Sequence, residues 1–198
     1  FRLYRMVDAR IGHLAMNTEI VRLRNHEYNQ CSSKKEIIVY CSESWNCSNN
    51  FLRSLFFRNS LHLRGSLAWI TLWLSTKLQL FHSFRSIANR NLGIDRDGYF
   101  LKEFSTLKFL NSEIVAGHNF LEINQVDKTK FVCLNVRDSA YLARIMGEEV
   151  HKHDYRDSNI KSYVAAAEAL ADMGYTVFRM GAIVKEPLVS KHPRVIDY

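Results

Sequence analysis

Proline is nearly missing from this chain, with two residues in 198. So little of the residue that breaks helices and central strands, beside 47% hydrophobic residues, excludes a Pro-rich disordered chain and supplies a globular core. No repeat or low-complexity tract interrupts the sequence. Long apolar runs are missing too: the longest, residues 67–74, falls short of the roughly 20 residues a membrane-spanning helix needs. The four cysteines, Cys31, Cys41, Cys47 and Cys133, form no Cys-x-x-Cys pair and have no histidine at zinc-finger spacing. Their plain reading is reduced thiols in a cytosolic protein, some of them buried. No signal peptide is visible. The initiator methionine is also missing, and residues 194–198 look like another strand beginning. A fragment of a longer protein is therefore expected.

Negative charge is absent from one long stretch. Between Glu43 and Asp95 there is no acidic residue, yet Arg53, Arg58, Arg64, Lys77, Arg85 and Arg90 all fall there. They are interleaved with Phe56, Phe57, Trp69, Trp73, Phe81 and Phe84. Such a mixture suits a surface resting on anionic lipid. The blander alternative is a core-facing aromatic set with solvated arginines outside it. The whole chain carries a formal charge of +7, which favours nucleotides, nucleic acid or acidic headgroups without choosing among them.

What is present points to an α/β layered fold. Residues 1–7 read as a first strand, and a turn holding Arg10, Gly12 and His13 leads to a helix over 14–23. Residues 36–41 read as a buried strand rich in β-branched residues. A helix capped by residues 48–50, a short strand at 61–64 and a helix over 67–74 follow. Residues 93–98 are rich in turn formers, and a helical pattern runs from 104 towards 123.

The chain is organised around residues 130–181. An apolar run at 131–136, a helix and a second apolar run at 175–180 closed by Gly181 read as one parallel βαβ unit. In its helix Ile160, Tyr163, Val164, Ala167, Leu170 and Ala171 make one apolar stripe. Asp157 or Ser158 can cap its start, and Gly174 can end it. Ligands of open α/β sheets bind beyond the carboxyl ends of the strands. Arg137 and Arg179 would stand at that edge, and the charged segment between the first strand and the helix is longer than an ordinary connection. The domain expectation is 1–95 for a first unit, 96–129 for a linker and connecting helix, and 130–198 for a second unit.

Two sets of residues carry a resemblance. The first is Arg10-Ile11-Gly12-His13-Leu14-Ala15 with Asn17-Thr18-Glu19. The second is Val132-Cys133-Leu134-Asn135-Val136-Arg137-Asp138-Ser139-Ala140-Tyr141-Leu142, joined by His153-Asp154-Tyr155-Arg156 with Asn159, and by Arg179-Met180-Gly181 before His192-Pro193. With these the chain resembles a family of bacterial glycosyltransferases associated with surface-polysaccharide synthesis.

The resemblance implies a GT-B arrangement of two Rossmann-like domains, an acceptor-side N-terminal domain and the beginning of a donor-side C-terminal domain. It implies a nucleotide-sugar donor as co-substrate with no further cofactor and no metal. The acceptor would be a saccharide or lipid-linked, reached from the cytoplasm at the inner membrane face, with an anionic membrane surface as a further partner. The Arg137 region is similar to the His-x-Arg motif of fucosyltransferase-like enzymes, whose arginine contacts the donor diphosphate, although Asn135 stands where histidine is usual. On this reading Arg137, Asp138, Ser139, Arg179 and Gly181 surround the donor phosphates. Arg10, Gly12, Asn17, Tyr141, His153, Tyr155 and Arg156 form loops on the acceptor side. His13 is the candidate base, with Asp8 and Glu19 as open alternatives.

Other chemistries fit less well. His151-x-His153-Asp154 contains metal-ligand types, but its spacing is no signature. A basic nucleic-acid-binding or noncatalytic module is the rival from another class. No nucleic-acid-reading motif is present, so a nucleic-acid partner is not expected.

Overall fold

The structure, a computed structural model, describes residues 1–43, 46–58, 60–77, 94–101, 107–146 and 154–198. By its internal contacts the chain divides into two compact units, Phe1–Phe109 and Leu110–Tyr198. The segment 110–129, read from the sequence as a connector, goes with the second unit.

The first unit is a parallel sheet of three strands, β1 (Arg2–Arg5), β2 (Ile38–Ser42) and β3 (Leu61–Arg64), in that spatial order. Parallel neighbours need crossover helices. These are α1 (Thr18–Cys31) between β1 and β2, and α2 (Asn50–Phe57) between β2 and β3. A third helix, α3 (Gly65–Lys77), follows β3 directly. Side chains alternate across each strand, and the two faces separate cleanly. Tyr4, Met6, Ile38 and Tyr40 gather with Leu14, Val21 and Phe56 on one face. Leu3 and Cys41 meet Ala68 on the other, with Val39, Leu63 and Leu72 beside them. Burial pushes the phenols of Tyr4 and Tyr40 up to about 12.

Two local features differ from the sequence reading. The helix expected over 14–23 opens with a π-helical turn, His13–Asn17, and continues to Cys31. Arg53, expected as part of a basic surface, is buried at 5% exposure. Its guanidinium pairs with the Asp8 carboxylate at 3.3 Å and donates to Asn50 Oδ1 at 2.8 Å. The cap expected from residues 48–50 is Asn49, whose side chain accepts from the Leu52 N–H at 2.8 Å.

The second unit holds a parallel sheet of β4 (Phe131–Asn135), β5 (Thr176–Met180) and β6 (Val195–Asp197), again in chain order. The expected parallel pairing of the two focal strands is observed, with Asn135 opposite Met180. Helix α4 (Asn111–Ile123) supplies Phe120, whose ring packs 5.8 Å from Phe178 and 5.4 Å from Tyr198. The expected start of this helix near 104 lies outside the described residues, but residues 107–110 are not helical and Leu110, in extended backbone, precedes a helix that begins only at Asn111.

Helix α5 (Ala140–Met146), which the sequence reading did not foresee, follows β4. Next come a 3-10 turn, Ile160–Tyr163, and α6 (Val164–Asp172). The cap of that turn is Asn159, accepting from the Lys161 N–H at 2.9 Å, and not Asp157 or Ser158. An asparagine here places its short carbonyl on the second amide of the turn. The expected stripe does pack: Ile160, Ala167, Val177 and Leu188 form a buried cluster with Leu134, Val136, Val164, Leu170 and Val195. Gly174, at φ +92°, closes α6 as expected, with Tyr175 N–H returning to Leu170 O at 3.1 Å.

Candidate functional site

Parallel strands put their carboxyl ends on one edge, and each unit has such an edge. In the second unit Val136, Arg137, Asp138 and Ser139 leave β4 there, and Gly181 leaves β5 beside them. The segment before α6 and the loop after β5 are drawn to the same place. The Ser158 N–H donates to Arg137 O at 2.9 Å. The Lys185 N–H donates to Asp138 Oδ2 at 2.8 Å, while Asp138 Oδ1 accepts from the Ala140 N–H at 2.9 Å and starts α5. Asp138 is thus an organiser of the edge, with both oxygens engaged by backbone.

The two arginines assigned to this edge have different environments. Arg137 pairs through Nε with Asp157 Oδ1 at 3.5 Å, and its side chain keeps 35% exposure. No described residue accepts from its terminal nitrogens. Arg179 is 1% exposed. Its guanidinium lies 3.3 Å from Asp197 Oδ1 and 3.8 Å from Asp138 Oδ2, and donates to Glu186 O at 3.3 Å. A buried cation surrounded in this way joins β5, β6 and the loop after β5. It is not presented to a ligand. Gly181 is required by backbone shape: at φ +150°, an added Cβ would meet Val184 Cγ1 at 2.8 Å.

Tyr141 stands in the first turn of α5 and is half-buried. Tyr155 and Arg156 are exposed; Arg156 Nε donates to the Tyr155 hydroxyl at 2.8 Å and its guanidinium lies 5.0 Å from that ring. Both sit beside Asp157 in the chain, so the edge gathers Arg137, Ser139 and Gly181 with the Tyr155–Asp157 segment. His151 and His153 lie outside the described residues. The sequence reading did not single out Lys185, Glu186 and Asp197 as neighbours of this edge. Nothing in their local sequence marks them: Asp197 is brought in by the pairing of β5 with β6, and Lys185 and Glu186 by the loop after β5 folding back on Asp138 and Arg179.

In the first unit the loop after β1 is fixed by Asp8, which is 1% exposed. Its carboxylate accepts from the Ser42 hydroxyl and from Arg53 at 3.3 Å. Its carbonyl accepts from Ser48 N–H and Oγ, each at 2.8 Å. That engagement makes Asp8 a stitch between the loops after β1 and β2, and removes it as a base. Glu19 is buried, 3.9 Å from Arg22.

His13 is half-buried in the π turn, a distortion that recurs at functional sites. Its Nδ1 lies 3.4 Å from the side-chain nitrogen of the buried Asn17. Burial holds the imidazole below its ordinary value, and the nearby Arg10 acts in the same direction. A neutral imidazole near pH 7 can accept a proton. Gly12 is exposed in right-handed helical backbone, at φ −61°, with open space around its α-carbon. It serves no tight turn.

A hollow of about 680 Å³ lies elsewhere, lined by Arg24, Glu27, Tyr28, Cys31, Asp97 and Tyr99. These α1 residues belong to the end of that helix remote from His13, so the hollow is away from the carboxyl edge. Among the described residues no group of three His, Cys, Asp or Glu is placed to hold a metal ion. No known protein family, curated protein or solved structure matches the chain.

Proposed function

We propose that the chain belongs to a glycosyltransferase of GT-B arrangement, with two Rossmann-like domains, that moves a sugar from a nucleotide-sugar donor to a cell-surface saccharide or lipid-linked acceptor. The observation that supports this reading is the edge of the second unit. There a half-exposed Arg137 and the Ser139 hydroxyl follow one parallel strand, and Gly181 follows its neighbour. A guanidinium fork suits bidentate contact with a diphosphate, and a fixed cation stabilises the charge that develops on a departing nucleotide.

On this reading Arg137 exchanges part of its pairing with Asp157 for the donor diphosphate, and Asp138 and Arg179 hold the edge in shape. His13 takes the proton from the acceptor hydroxyl as the glycosidic bond forms, and the nucleoside diphosphate leaves with the electron pair of the broken sugar–oxygen bond. A lipid-linked acceptor would bring the protein to the inner face of the cytoplasmic membrane. Among the described residues no helix is long and apolar enough to cross one.

The test is calorimetric titration with UDP, GDP and inorganic pyrophosphate. One of the nucleotides should bind, and Arg137→Ala should weaken it by about 1.5–3 kcal/mol, the size of a hydrogen bond to a charged group. Arg137→Lys should recover little, because a point charge lacks the planar fork. Equal affinity in the alanine variant, or no binding of any of the three by the native protein, would overturn the assignment.

A further inference from the structure

Helix α3 is the least ordinary surface of the first unit. Its 13 residues carry no charge before the terminal Lys77, and apolar side chains occur all around it. A helix of that kind is normally buried on every side. Here Gly65, Ala68 and Leu72 account for the side laid on the sheet. The opposite side is open: Leu67, Ile70 and Leu74 are exposed, with Trp69 at 55% and Trp73 at 47%. The two indoles stack at 6.3 Å between centroids with 16° between planes, which presents one broad aromatic face.

Within residues 44–94 of the chain, which include this helix, every charge is positive. Arg64 immediately precedes the helix and Lys77 ends it, both exposed. The flanking acids in the chain are Glu43 and Asp95. Glu43 follows directly on Ser42, the sheet partner of Arg64, and is paired with Arg5 at 2.6 Å. Arg53, which the sequence also places in this stretch, is neutralised inside the unit by Asp8. At about 1.5 Å per residue the helix is roughly 20 Å long, too short to cross a hydrocarbon layer of about 30 Å. It has the length and the apolar width to lie in one.

We infer that α3 is a membrane-docking helix that inserts Leu67, Trp69, Ile70, Trp73 and Leu74 into the interface of an anionic lipid surface, with Arg64 and Lys77 against the headgroups. Tryptophan suits that depth because its ring is apolar and its N–H meets the wet headgroup layer. Paired hydrophobic and electrostatic attraction makes such docking selective for acidic lipid and sensitive to salt. The inference deepens the lipid-linked acceptor reading. It also stands apart from it experimentally, since vesicle binding can fail while diphosphate binding holds, and the reverse.

The experiment is sedimentation of the full chain with vesicles of phosphatidylcholine alone or mixed with phosphatidylglycerol, at low and high salt. Retention is expected on the mixed vesicles at low salt, with partial release at high salt. Arg64→Gln and Lys77→Gln should each lower the partition roughly five-fold, as expected for one cation at an acidic surface. Ile70→Glu with Trp73→Glu should abolish it while the circular dichroism melt is kept, because neither side chain is in the core. In a Trp45→Phe background Trp69 and Trp73 are the remaining indoles of the three. Their emission should shift to the blue on mixed vesicles and be quenched by brominated acyl chains. Equal retention on neutral vesicles, unshifted emission, or self-association in solution that the glutamate substitutions abolish would overturn the inference, the last by making a second copy the occupant.

Discussion

Removing the Asp8 carboxylate is the most searching perturbation of the first unit. The pair it forms with Arg53 is buried on both sides, at 1% and 5% exposure, with 3.3 Å between Nη1 and Oδ2. Asp8→Ala would leave a guanidinium inside the unit with Asn50 Oδ1 at 2.8 Å as its described side-chain partner. Breaking a buried pair from one side costs about 3–5 kcal/mol. The Ser42 hydroxyl, also buried, loses its acceptor as well, for about 1 kcal/mol more. Domains of this size hold about 5–15 kcal/mol in total, so the variant should lose a large share of its stability. Arg53→Met in the Asp8→Ala background removes the orphaned charge and should restore about 2 kcal/mol or more. Urea melts of the native protein, both single variants and the double variant would read this directly, since the midpoint moves by the energy change divided by a slope of about 1–3 kcal/mol per molar urea. If the Asp8→Ala midpoint moves by less than about 0.3 M, or if the double variant shows the plain sum of the single losses, the buried-pair reasoning is wrong.

Three further outcomes follow from the same structure. The His13 ring should titrate below 6.5, because burial first, and then Arg10, disfavour its cation. As pH falls below 6.5 the unfolded chain takes this proton before the folded one, so stability should decline through that interval and level off below the folded-state value; an NMR midpoint at or above 6.5 would contradict it. Burial, with Glu43 adding to it, pushes the Cys41 thiol up to about 11, so iodoacetamide at mildly alkaline pH should label the exposed Cys31 and Cys133 well before Cys41. Equal labelling rates by mass spectrometry would refute this order. Gly181→Ala should lower stability by about 1–3 kcal/mol through backbone strain and the 2.8 Å contact with Val184; an unchanged melting temperature would show that the loop after β5 gives way freely.

Much of the fold was written in local periodicity. A run of β-branched residues marked β2, the three-and-four spacing from Ile160 to Ala171 marked α6, and Gly174 marked its end. A helix between two apolar runs of this spacing requires parallel strands, because a crossover returns the chain to the same edge. That reasoning also placed Arg137 and Arg179 at one edge. The sequence did not reveal which cations meet water. Arg53 looked like one member of a basic stretch, yet its partner Asp8 lies 45 residues away. Arg179 looked like a second phosphate contact, but the neighbouring strand brings Asp197 to it and the edge of β4 brings Asp138. The π turn at His13–Asn17 and the helix α5 inside a charged segment were equally hidden, since neither is set by an apolar repeat. Local pattern determines which face of an element is apolar. Whether a charge on that element is buried, paired or open depends on groups that only the packed sheet brings within a few ångströms.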